Sequence, residues 1–259
     1  QLNLLPPAPN QLLADISAQA SLVVVVVSAC LMIFRILPYL DFYAIFVRKE
    51  EALSGFLKGS VIGLVFMGLC ALLLYLNGNV SFSLKNIAVS AVLLYLVYFL
   101  LIAVFEEMLF RAYPLFAFAE RYPVWFTIFF NGILFALAHF GNPNFTALGL
   151  FNILLAGVLF CIYTLQRKNI SWAIGIHFGW NFTQGVLLGY NVSGNEMPGA
   201  LKATPIGSTY LSGGAFGIEG SIFCTALLMV WIAWLIYRKG FGEIEIYDPQ
   251  VKHHLHEDE

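Results

Sequence analysis

The stretch AVFEEMLFRAYPLFAF, residues 103–118, decides how the chain is read. Two adjacent glutamates and an arginine sit in a run that otherwise suits lipid. A charge at the centre of a membrane helix costs about 2.5–3.5 kcal/mol even on the gentlest scale. On a helix, Glu107 and Arg111 are i,i+4 neighbours with the acid on the N-terminal side, so they can pair and neutralise each other. Glu106 is turned about 100° away and is left without that cation. A desolvated carboxylate lacking a counter-ion suits a general base. The plainer reading puts all three at a helix end among lipid headgroups, where Pro114 would stop or kink the helix.

The rest of the chain supports a membrane setting. Of 259 residues, 60% are hydrophobic and 11% charged, with a mean hydropathy of +0.81. Soluble domains carry about 25% charged residues. The composition therefore predicts an all-α, polytopic transmembrane helix bundle. Seven stretches meet the requirement of about 20 mostly apolar residues: 19–40, 56–76, 87–111, 123–140, 145–166, 170–190 and 218–238. A re-entrant segment would make eight. Residues 1–18 read as an extramembrane tail and 19–240 as one transmembrane domain. Residues 241–259 read as a polar tail, where His253, His254 and His256 suit solvent better than a metal. The net charge of −2, with no basic stripe, argues against a nucleic-acid partner. Cys30, Cys70, Cys161 and Cys224 each lie in an apolar run without a CxxC pair, and read as small buried hydrophobes.

Two further polar sets interrupt the apolar spans. In FNGILFALAHF, Phe135 lies four residues before His139 on the same helix face. In GIHFGWNFTQG, His177 and Asn181 share a face and offer an imidazole and an amide to one space. Gly175, Gly179 and Gly185 would let another helix approach closely. Each set alone has a plain reading, a membrane-edge histidine or an interhelical clamp. Together they put carboxylates, imidazoles and an amide on three helices, and one shared polar cavity is the least costly way to bury them.

These residues resemble a known family. EEMLFR, then Phe135 with His139, then His177 with Asn181 look like the motifs EExxxR, FxxxH and HxxxN of the CPBP family, in order. That family comprises type II CAAX prenyl proteases and bacteriocin-processing or immunity-type relatives. The stretch LSGGAFGIEGSIFCTALL also resembles bacterial members. The resemblance covers roughly residues 85–240 and implies an intramembrane endopeptidase. By position, Glu106 would activate water with help from His139, and His177 and Asn181 would stabilise the oxyanion. Glu107, Arg111 and Phe135 would support the site. The implied partners are a membrane-associated peptide or protein substrate and the lipid bilayer. No cofactor is expected. The alternative is zinc on Glu106, His139 and His177, against which stand the missing HExxH pattern and an amide that ligates zinc poorly. A non-catalytic role, as a proton or solute pathway or an immunity-type interaction protein, would use the same charges.

The span boundaries conflict with this convergence. Glu106 falls near the end of the third span, whereas His139 lies about 24 Å and His177 about 9 Å along theirs at 1.5 Å per residue. The three meet only if the helices are staggered or tilted. Orientation follows lysine and arginine. Arg48, Lys49, Lys58, Arg121, Arg167, Lys168, Arg238, Lys239 and Lys252 fall on one side, and Lys85 and Lys202 on the other. This bias predicts the N-terminus outside and the C-terminus in the cytoplasm, and the family resemblance implies a bacterial-type cell membrane. Tags at the two ends should show protease access from outside at the N-terminus only. A cytoplasmic N-terminus would refute the orientation or the span count.

Overall fold

The computed structural model describes residues 9–36, 49–119 and 121–242. The three tail histidines lie outside the described residues, as do Arg48 and Lys252. The regular structure of the described chain is helical except for two short strands. Helices α1 (Pro9–Ile36), α2 (Lys49–Leu76), α3 (Val89–Arg111) and α4 (Tyr113–Ala119) come first. They are followed by α5 (Val124–Ala138), α6 (Ala147–Arg167) and α7 (Ser171–Phe182), which continues as a π-helical turn over Thr183–Leu187. A one-turn α8 (Thr209–Ser212) precedes α9 (Ile222–Lys239).

Among the described residues, five helical stretches are long and apolar enough to cross a membrane: Gln11–Ile36, Glu51–Leu76, Val89–Ala119, Ala147–Arg167 and Ile222–Lys239. The bundle is thus an all-α, multi-pass membrane architecture. The stretches expected as fourth and sixth spans are shorter, at 15 residues for α5 and 12 for α7 before its π turn. Residues 9–18, read from sequence as a tail, form the first turns of α1. At 1.5 Å per residue that helix is about 42 Å long, against a hydrocarbon core of about 30 Å, so one end can project beyond the lipid.

The interior is organised around α6, where 78% of the apolar window is buried, against 11–39% for the other four. Large apolar residues such as Leu53, Val61, Val230 and Trp234 face outward, as lipid-facing positions should. All four cysteines are free and buried. The long segment between α7 and α9 was expected as a loop. It contributes β2 (Leu201–Pro205), which pairs antiparallel with β1 (Val80–Leu84) so that Val80 faces Pro205 and Leu84 faces Leu201.

Two glycine contacts fix how the helices carrying the polar motif residues pack. Gly55, Gly59 and Gly63 of α2 lie against Gly175 and Gly179 of α7. A Cβ on Gly175 would strike the Phe56 carbonyl, one on Gly179 the Ser60 carbonyl, and one on Gly63 the Ile176 carbonyl. Small residues at this spacing let backbones meet where lipid supplies no hydrophobic drive. The register runs parallel, with Gly55 beside Ser171 and Gly63 beside Gly179. Helix α7 therefore starts about six residues, or roughly 9 Å, beyond the start of α2. In the second contact, a Cβ on Gly157 of α6 would lie 3.0 Å from the Gly132 Cα of α5.

A matched pair of substitutions tests the first contact. A Cβ at Gly68 of α2 meets nothing within 4 Å, so Gly68→Ala should hold or gain stability through helix propensity, by up to about 1 kcal/mol. Gly179→Ala should lose about 1–3 kcal/mol through overpacking. Thermal unfolding of the detergent-solubilised protein compares them, and equal behaviour would remove the close contact.

Candidate active site

The mismatch in depth disappears because the third crossing stretch does not end at Arg111. It bends at Ala112 and continues through α4 to Ala119. Glu106 is then about 13 residues, or roughly 20 Å, from the end of that stretch, while His139 lies about 22 Å from the start of α5. The two reach similar depth from opposite directions. The raised start of α7 brings His177 up to join them. Buried Asn131 secures the bend by donating to the Phe110 carbonyl at 2.6 Å, an acceptor near the helix end that otherwise lacks a partner.

At the meeting point, Glu106 Oε2 lies 3.6 Å from His139 Nε2 and 3.9 Å from His177 Nε2. That oxygen makes no hydrogen bond to the protein. Glu107 faces the other way. Its Oε1 lies 3.2 Å from Arg111 Nη1, with both side chains fully buried, and 2.9 Å from His177 Nδ1. The Glu107–Arg111 pairing expected from spacing is present. The link from Glu107 to His177 is new, because it crosses between helices.

The hydrogen bonds define the imidazoles. His139 Nδ1 lies 2.7 Å from the Phe135 carbonyl, which only accepts, so Nδ1 carries the proton. His177 Nδ1 donates to Glu107 by the same reasoning. Both Nε2 atoms therefore face Glu106. Phe135 is the hub beneath them. Its ring lies 4.7 Å from the His139 ring and 6.1 Å from the His177 ring, with the Arg111 guanidinium 4.1 Å from its centroid. Phe160 stacks on His177 at 5.3 Å. Arg111 also donates to the Gly157 carbonyl at 3.3 Å, and a Cβ on Gly157 would come within 3.1 Å of the guanidinium.

Asn181 is 7% exposed, and its amide faces the same space. The site opens into a cavity of about 540 Å³ that runs from Glu106, His139, His177 and Asn181 to the first turns of α1 and α3 and to residues 192–197. The two histidines and Asn181 also border a smaller pocket of about 30 Å³. The structure thus gathers Glu106, Glu107, Arg111, Phe135, His139, His177 and Asn181 in one place. Among the described residues, no three His, Cys, Asp or Glu side chains form a group that could hold a metal ion.

Glu219 borders the small pocket too, and no role was read for it from sequence. It is 3% exposed. One carboxylate oxygen accepts from Trp180 Nε1 at 3.1 Å, and the other takes the Ser193 backbone N–H. It therefore ties the residue beside Asn181 to the cavity wall. Glu219 lies outside the five membrane-crossing helices, and burial pushes its carboxyl up against the opposing pull of those hydrogen bonds. Asn152 of α6 donates to the carbonyls of Glu219 and Ser221 and accepts from Thr225, which holds the start of α9. The only sequence cue was an acid within an otherwise apolar, Gly-rich approach to a helix.

Residues 88–183 match the family model described as type II CAAX prenyl endopeptidase Rce1-like. That segment holds all seven converging residues and supports membership of the CPBP family. The family implies a membrane-embedded protease, consistent with the apolar helices. No curated protein and no solved structure matches the chain.

The buried ion pair makes a quantitative prediction. Arg111→Met should destabilise the protein by about 3–5 kcal/mol, because Glu107 is left charged and buried. Adding Glu107→Gln should restore part of the loss. Unfolding of the three proteins in detergent measures this, and a harmless single change would mean that Arg111 is not the counter-ion.

Proposed function

We propose that the chain is an intramembrane endopeptidase in which Glu106 activates water. The observation carrying this reading is the unpaired Oε2 of Glu106 beside two imidazole nitrogens, at the inner end of a cavity large enough for a peptide segment. Glu106 takes a proton from water held between it and His139 Nε2, and the oxygen attacks the scissile carbonyl carbon. The carbonyl electrons move onto oxygen. The Asn181 amide and the Nε2–H of protonated His177 stabilise that charge. Collapse breaks the C–N bond, and the proton held by Glu106 passes to the departing amine. Glu107 takes no proton. It fixes the His177 ring through Nδ1, much as second-layer carboxylates orient metal-bound histidines.

The distribution of basic residues supports an orientation for the site. Arg35, Arg167, Arg238 and Lys239 lie in the last turns of α1, α6 and α9. The cavity runs to the other face, with the first turns of α1 and α3. Under the positive-inside rule it opens away from the cytoplasm.

Glu106→Gln keeps the shape and removes the base. Peptides released from membranes by the wild type should disappear with this variant, at unchanged expression. Asn181→Ala should lower turnover about 10²–10³-fold, as removal of an oxyanion donor does elsewhere. A strong chelator should leave turnover intact. An unchanged peptide profile with Glu106→Gln would refute the enzyme reading. Loss with chelator and rescue by zinc would refute the metal-free step.

A further inference from the structure

The charge of the cavity selects its occupant. Its wall includes three carboxylates, Asp15 of α1, Glu106 of α3 and Glu196 of the segment before β2. No lysine or arginine is among the described residues that line it. The nearby guanidinium of Arg111 is fully buried and engaged by Glu107. Asp15 accepts a hydrogen bond from Gln11 at 3.0 Å. Neither Asp15 nor Glu196 pairs with a cation among the described residues.

Two other features show that this space is built for a ligand. Asn181 is more than nine-tenths buried and borders the cavity, yet its side-chain amide makes no hydrogen bond among the described residues. Beyond it, Tyr95, Tyr98 and Phe99 form an aromatic wall, with ring centroids 5.5–6.2 Å apart. Aromatic faces beside carboxylates suit a lysine or arginine side chain, whose stem packs on the rings while the cation meets both ring and acid.

Resting on the protease reading above, we propose that the substrate is a cationic peptide segment, with lysine or arginine close to the scissile bond. The bond cut is internal. A free C-terminal carboxylate held beside Asp15 and Glu196 would meet like charge, with no lysine or arginine among the described lining residues to receive it. Asp15 is half-buried and Glu196 exposed, so several carboxylates acting together, rather than one desolvated pair, set the preference for a cationic side chain, and salt weakens it.

The test uses the full chain in nanodiscs of neutral phosphatidylcholine, so that peptide charge does not alter the amount at the membrane. Three quenched-fluorescent peptides differ only in one residue beside the central bond, Lys, Gln or Glu. A further pair of peptides compares a free with an amidated C-terminus. Wild type should cleave the Lys peptide at least tenfold faster than the Glu peptide, and the amidated form faster than the free acid. Asp15→Asn with Glu196→Gln should reduce the Lys-to-Glu ratio to about threefold or less, and 0.5 M NaCl should narrow it in wild type. Binding of the same peptides to Glu106→Gln, read by fluorescence anisotropy, should follow the same order. Cleavage at equal rates would overturn the charge proposal and leave the protease reading standing. If no peptide is cleaved, binding decides: Lys tighter than Glu upholds the charge proposal while counting against the protease reading, and equal binding overturns it.

Discussion

The close approach of α2 and α7 is the constraint on which the site depends. Backbones meet along Gly55, Gly59 and Gly63 on one helix and Gly175 and Gly179 on the other. This contact sets how far along the bundle α7 begins, and so the height of His177 and Asn181. Two residues beyond Gly175 is His177, and two beyond Gly179 is Asn181. Phe66 of α2 then stacks on Trp180 at 4.9 Å, beside the amide. A helix with no catalytic motif thus positions half of the candidate site.

Burial then divides two neighbouring glutamates. Glu107 is fully enclosed, and its charge is met by Arg111 and His177. Glu106 retains 21% side-chain exposure and faces the cavity. The difference follows from one residue of helical rotation. An isolated buried carboxylate would be costly, but Glu107 has a guanidinium, an imidazole and aromatic rings around that guanidinium, which offset desolvation. The same enclosure orients His177, so the buried pair contributes to the geometry around Glu106.

Much of this was legible in the sequence. Periodicity linked Glu107 to Arg111 and His177 to Asn181, since both are local relations on one helix. The motif glycines of α7 suggested a close partner but not which helix supplied it. Contacts between distant segments were harder to read. The bond between Glu107 and His177 spans 70 residues, and the Glu219 contacts with Trp180 and Ser193 depend on how a Gly-rich segment folds back over the bundle. The bend at Ala112 was half visible: Pro114 signalled an interruption, but reading it as an end made the third span too short. The paired strands were hidden because each has five residues and gains order only from the other. The cavity wall from Asp15 was missed because residues 1–18 read as a tail, whereas α1 begins at Pro9.

The central claim is that two adjacent carboxylates have different surroundings and hence different work. Labelling of the folded protein in a bilayer with a small water-soluble carbodiimide and an amine, read by peptide mass spectrometry, measures this without knowledge of the substrate. Glu106 should be modified through the cavity while Glu107 stays protected until the protein unfolds. Equal modification of both, or modification of Glu107 first, would contradict the division of roles on which the proposed chemistry rests.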